Sequence, residues 1–184
     1  DTLNNIPFIR KKEGIAVFQK GDYIIYRNTG VCQVSEIGVP ENFPITEGKL
    51  YYFLVPMRGS GTIYIPTDSP VFMRAVITPE QADTLILSIP SLPELPPQYK
   101  DQKALVGAYK ALVQTHDCTT LLQLIKSIRK KDSELTQKGK HLGKIDIQYK
   151  KQAEQMLCEE FSIALSIPLD EIPTYIQKRV EITA

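Results

Sequence analysis

Lys49-Leu50-Tyr51-Tyr52-Phe53-Leu54-Val55-Pro56-Met57-Arg58-Gly59-Ser60-Gly61-Thr62-Ile63-Tyr64-Ile65-Pro66 reads as two strands around a glycine turn. Tyr, Phe, Val and Ile dominate both arms, and these side chains suit a pleated, half-buried surface. Gly59 and Gly61, on either side of Ser60, supply the positive-φ freedom that a short hairpin connection needs. Pro56 and Pro66 have no N–H to give to a ladder, so each belongs at a strand end or on a sheet edge. An edge that lacks one donor but keeps its other backbone groups can accept a strand from another protein. The hairpin is the first candidate for a docking surface.

Upstream of it, Phe18-Gln19-Lys20-Gly21-Asp22 reads as a turn into the strand Tyr23-Ile24-Ile25-Tyr26, and Asn28-Thr29-Gly30 as a second turn. Val31-Cys32-Gln33-Val34-Ser35-Glu36-Ile37 alternates apolar and polar, as a strand with one dry face does. A loop with Pro40 and Pro44 follows. Downstream, Thr67-Asp68-Ser69-Pro70 turns the chain into a short strand, Val71-Phe72-Met73. Short strands joined by Gly, Asn and Pro turns predict a small antiparallel barrel, whose closure would bury Ile25, Val34, Phe53, Val55 and Ile63. Residues 1–16 read as a loose arm with one basic triplet, Arg10-Lys11-Lys12.

After the barrel the period becomes helical. Thr78-Pro79-Glu80-Gln81 has the spacing of a capping box with proline in the first turn. Pro93, Pro96 and Pro97 place a break between residues 91 and 97. Leu105, Tyr109, Leu112 and Val113 then share a helix face, and Asp117 to Thr120 offer caps to a stripe of Leu121, Leu122, Leu124, Ile125 and Ile128. Gly139 and Gly143 bracket a lysine-rich loop. Asp146 is the expected cap of a long helix whose core stripe is Tyr149, Ala153, Met156, Leu157, Phe161, Ala164 and Leu165, with Glu159 and Glu160 in solvent. Pro168, Asp170 and Glu171 precede a last helix toward Val180. The fold class is α+β, divided into residues 1–16 (an extension), 17–78 (the barrel), 79–98 (a helix and a proline-rich connection) and 99–184 (an all-α domain).

Net charge is +1, but residues 99–151 carry 12 basic against 5 acidic side chains, and residues 152–184 carry 2 against 6. Such a block either faces a polyanion or is a solvated lysine-rich helix surface. No apolar run nears the ~18 residues that cross a bilayer, and residues 1–14 lack the apolar segment of a secretory signal. Cys32, Cys118 and Cys158 are odd in number and far apart, which suits a reducing cytoplasm better than a disulfide framework. His116 with Cys118 is the only close pair of metal-ligand types, so no metal or other cofactor is expected. There is no phosphate loop and no nucleophile elbow, and the two histidines lie far apart, so no enzyme is expected.

Phe18-Gln19-Lys20-Gly21-Asp22-Tyr23-Ile24-Ile25-Tyr26 with Gly30 resembles the opening of the CarD/CdnL family of bacterial transcription regulators. Tyr51-Tyr52-Phe53-Leu54-Val55-Pro56 and Ile63-Tyr64-Ile65-Pro66 look like that family's later barrel strands. Tyr109-Lys110-Ala111-Leu112, Asp117-Cys118, Ile125-Lys126-Ser127, Arg129-Lys130, Gly139-Lys140 and Tyr149-Lys150-Lys151-Gln152-Ala153-Glu154 follow in family order. The resemblance runs from about Val17 to Ile176. It implies a Tudor-like barrel, shared with the transcription-repair coupling factor, that binds the β subunit of bacterial RNA polymerase. It also implies a helical domain that touches promoter DNA at the upstream edge of the bubble and stabilises the open complex. Family members typically carry a Trp wedge at the start of the helical domain. This chain has no Trp, and Tyr99 stands in that region.

On this resemblance the expected polymerase contacts are Met57, Arg58, Thr62 and Tyr64. The expected DNA contacts are Tyr99, Lys100, Lys103, Lys110, Arg129, Lys130, Lys131 and Lys150, as phosphate contacts that position without reading sequence. The expected partners are the polymerase β subunit and promoter DNA, bound weakly by a cytoplasmic, nucleoid-associated monomer with no membrane contact. Two alternatives stay open: an adaptor whose helical domain binds another protein, and a polymerase-binding barrel with a purely structural helical tail.

Overall fold

The computed structural model describes residues 10–12, 15–41, 48–95, 99 and 101–181. The chain divides between Val76 and Ile77 into two compact units.

The first unit holds the strands β1 (Arg10–Lys12), β2 (Ile15–Val17), β3 (Tyr23–Tyr26), β4 (Gly30–Gly38), β5 (Tyr51–Pro56), β6 (Ile63–Pro66) and β7 (Met73–Ala75). β1 and β2 pair with each other antiparallel, so part of the segment expected to be a loose arm is strand. The other five form one antiparallel sheet in the order β6-β5-β4-β3-β7. The last strand begins two residues later than the sequence suggests, at Met73 instead of Val71. Phe72 is exposed, and its carbonyl accepts the Arg27 N–H at the edge of β3.

The core of this unit is Phe18, Ile24, Tyr26, Cys32, Val34, Tyr52, Leu54 and Ile65, with Ile37, Ile63, Val71, Met73 and Ala75 packed against it. Ile25 and Val34 are buried as expected. On β5 the expectation is corrected by one residue: Tyr52 and Leu54 point inward, Phe53 is half-buried and Val55 is exposed. The Tyr52 hydroxyl reaches across the core to accept the buried N–H of Phe18 at 3.1 Å, so the one polar atom that this ring carries inward is satisfied. Burial pushes the Cys32 thiol up to about 11, which keeps it protonated and inert at neutral pH.

Within β4 the register shifts between Val34 and Glu36, so two residues oppose Phe53. The hydroxyl of the extra residue, Ser35, donates to the Phe53 carbonyl at 3.0 Å and gives that acceptor a partner where the ladder is disturbed.

The second unit is five helices: α1 (Pro79–Ser88), α2 (Gln102–Gln114), α3 (Cys118–Gln137), α4 (Lys144–Leu165) and α5 (Ile172–Glu181). The capping box at Thr78 and Gln81 forms as read, with the two reciprocal bonds at 3.2 and 2.9 Å. Asp101 and Asp117 cap α2 and α3. α4 packs on the other four helices and carries Ala153, Leu157, Phe161 and Ala164 into the core. Opposite them lie Ile86, Tyr109, Val113, Ile172 and the expected α3 stripe, whose five members are all buried.

Two expectations on α4 are corrected. Its N-cap is Gly143, and Asp146 lies one turn inside and is buried. Glu159 and Glu160 are also buried. Glu160 accepts the Ile77 N–H at 3.1 Å and lies 3.3 Å from the Cys118 sulfur, so its carboxylate holds the entry to α1 against the start of α3.

α3 ends in a Schellman motif. The Lys140 N–H bonds to the Leu135 carbonyl at 2.8 Å and the Gly139 N–H to that of Thr136 at 3.0 Å, with Gly139 at φ +66°. A β-carbon there is strained by the backbone conformation alone, so Gly139→Ala is expected to destabilise by about 1 kcal/mol or more. Gly107 sits exposed inside α2 with open space around it, so Gly107→Ala is expected to stabilise by about 0.5–1 kcal/mol. Urea unfolding of the two variants should therefore shift in opposite directions.

Candidate functional site

Two surfaces carry the residues singled out above. The first is the hairpin β5–β6, whose connection, residues 57–62, turns at Gly59 (φ +88°) and Gly61 (φ +95°). Met57, Arg58, Thr62 and Tyr64 are all exposed, so neither Met57 nor Tyr64 is a core filler. The Tyr64 ring stands edge-on to Phe53, with centroids 4.9 Å apart, on the outward face of the sheet beside the exposed Val55.

β6 lies at the edge of the five-stranded sheet. Thr67 donates to the Leu50 carbonyl at 3.0 Å, and the register below it pairs Ile65 with Tyr52 and Ile63 with Leu54. Antiparallel strands alternate bonded and non-bonded pairs. The backbone groups of Ile63 and Ile65 therefore face β5, whereas those of Thr62, Tyr64 and Pro66 point off the edge. Pro66 fits there because the N–H it lacks would have faced away from the sheet.

The second surface lies on the helical unit. Lys103 and Lys110 are exposed and seven residues apart on α2, so they share a face. Three cations of α3 are bonded within the unit. Arg129 meets Glu154 at 2.8 Å, Lys130 meets Glu94 at 2.6 Å and Lys131 meets Asp146 at 2.8 Å. The hydrogen bond and charge of Glu94 hold the Lys130 ammonium above its usual range. Lys126 is more deeply engaged, since it donates to the carbonyls of Ile89, Pro90 and Leu92 at 3.2, 2.7 and 2.7 Å. It thereby satisfies acceptors that the end of α1 and the following turn leave without helical partners.

Tyr99 is half-buried, its ring edge-on to Tyr109 at 5.8 Å, and Tyr109 in turn meets Tyr149 at 5.5 Å. Burial pushes the Tyr99 phenol up. The Tyr109 phenol is raised further, first by burial and then by its 2.8 Å hydrogen bond to Asp146. Lys150 lines an open groove of about 340 Å³ with Asp132, His141, Leu142, Ile147, Lys151 and Glu154. Lys100 lies outside the described residues.

The structure thus gathers Tyr99 and Lys131 onto one network with Tyr109 and Asp146, and Arg129 beside the Lys150 groove through Glu154. Lys103 and Lys110 stand apart on α2. Sequence reasoning passed over Asp146 as a junction and Lys126 as a clamp; a polar residue inside an apolar stripe is a weak signal for either. Among the described residues, no group of three His, Cys, Asp or Glu could hold a metal ion. No described helix is long and apolar enough to cross a membrane.

Among curated proteins, none matches this chain. Residues 18–77, which run from the Phe18 turn to the end of the five-stranded sheet, match the family model of the CarD-like/TRCF RID domain. The match covers 60 of the 184 residues, so the likeness to the CarD-like/TRCF RID domain is one of the first unit.

Proposed function

We propose that this protein is a transcription regulator that docks on the β subunit of bacterial RNA polymerase and contacts promoter DNA at the upstream edge of the bubble, modulating open-complex stability. The observation that carries the reading is the CarD-like/TRCF RID match over residues 18–77, a domain type associated with RNA polymerase and transcription. Within it, β6 is a sheet edge flanked by Met57, Arg58, Thr62 and Tyr64, which suits addition of a β-subunit strand with side chains setting the choice of partner. The basic block over residues 99–151 and the exposed Lys103 and Lys110 support the DNA contact. These are phosphate contacts, so binding is weak alone, indifferent to sequence and steeply reduced by salt. The protein acts in the cytoplasm as a monomer, without a cofactor or catalysis of its own.

The immobilised full chain is expected to retain RNA polymerase from a purified preparation. Thr62→Pro, which removes an N–H pointing off the β6 edge, should weaken retention about tenfold or more, equivalent to roughly 1.4 kcal/mol. A wild-type chain that ignores the polymerase overturns the proposal.

The carboxylates on Arg129, Lys130 and Lys131 favour a second reading, an adaptor whose helical unit binds another protein. Charge reversal at Lys103 and Lys110 separates the two. Shortened open-complex lifetime with polymerase retention intact supports DNA contact, and unchanged lifetime supports the adaptor.

A further inference from the structure

We infer that the turn joining α3 to α4 is the phosphate-gripping end of the helical unit, and that Lys138, Lys140 and Lys144 hold the backbone of duplex DNA there. The inference rests on the DNA contact proposed above and assigns it to residues outside the set expected from the sequence. Residues 135–145 contain three lysines, one histidine and no carboxylate. Lys138, Lys140, His141 and Lys144 are all exposed. Among the described residues, the three ammonium groups have no carboxylate partner.

The cations of α3 are in the opposite condition. Lys131 can leave Asp146 only by stripping a buried carboxylate of its ammonium partner, and Lys126 only by abandoning three carbonyls. Such costs are charged against any phosphate contact these side chains would make. The turn carries no such cost. Its backbone is already set by the Schellman bonds of Gly139 and Lys140, so binding orders lysine side chains but little main chain. Along α4, Lys150 and Lys151 line the neighbouring groove with His141, where Asp132 and Glu154 also stand.

The test is the salt dependence of binding to a fluorescent 30-base-pair duplex, using the full chain. In the triple variant Lys138→Gln, Lys140→Gln, Lys144→Gln, the slope of log K against log salt is expected to be shallower by about 2–3, at ~0.9 per lost phosphate contact. Its melting temperature should match that of the wild type. Arg129→Gln with Lys130→Gln should leave the slope within about 0.5 of the wild-type value, less than one contact. A triple variant with an unchanged slope overturns the assignment to the turn while leaving the DNA contact in place. A wild-type chain whose duplex binding is absent, or flat with salt, overturns the DNA contact and the turn together, and polymerase retention then reports separately on the first unit.

Discussion

Leu54→Ala is expected to destabilise the first unit by roughly 2–5 kcal/mol, whereas Val55→Ala, one residue along the same strand, should cost under about 1 kcal/mol. Leu54 is fully enclosed, facing Val34 across one ladder and Ile63 across the other, all on the core side of the sheet. Removing its branched end leaves a void that the paired strands cannot collapse to fill. Val55 is 40% exposed on the opposite face, beside the Phe53–Tyr64 pair, so its truncation mostly uncovers surface that is already wet. Thermal unfolding of the full chain, followed by near-ultraviolet circular dichroism of the tyrosines, separates the two. A costly Val55 with a tolerant Leu54 would mean that β5 presents its other face to the core.

Lys131→Met should cost about 2–3 kcal/mol, while Lys130→Met, its neighbour, should leave stability close to that of the wild type. Both lysines bond to carboxylates, but Asp146 is 4% exposed in its side chain and Glu94 is 39% exposed. With Lys130 gone, Glu94 is hydrated by water. With Lys131 gone, the Asp146 carboxylate stays enclosed, keeping the Tyr109 hydroxyl but losing its cation. The figure sits below the usual cost of breaking a buried pair because Lys131 is itself 40% exposed. Adding Asp146→Asn to Lys131→Met should recover part of the loss, since the amide needs no counter-charge. Urea unfolding of the four-member cycle measures this coupling. Equal costs for Lys130→Met and Lys131→Met would remove the Asp146 junction as a stabilising element.

The helical unit was largely legible wherever a residue's role is set within a few positions along the chain. The Thr78 box, the Asp117 cap and the α3 stripe all belong to that kind. The phase of β5 was not legible. Tyr51 to Val55 are apolar without interruption, so no period marks an inner face, and the choice is made by Val34 and Ile63 on adjacent strands. Strict alternation also misleads at β4, because the extra residue at Ser35 shifts every later side chain by one place. Glu160 looked like a solvent residue and Asp146 like a helix cap because their partners, Ile77 and Cys118 for the first and Tyr109 and Lys131 for the second, are distant in sequence. The charge of residues 99–151 was legible as a total but not by address, since only folding shows which lysines are already spent on their own carboxylates and carbonyls.

Pro66 has a consequence for how this chain behaves in crowded solution. A strand edge that welcomes one partner can equally welcome a second copy of itself, and repeated pairing of that kind is how sheets grow into aggregates. With proline closing β6, the row of outward donors stops after Tyr64, so an incoming strand gains a short grip and cannot be extended into a long continuous seam. The same ring that ends the strand thus acts as a gatekeeper, limiting self-association at the edge proposed for polymerase docking.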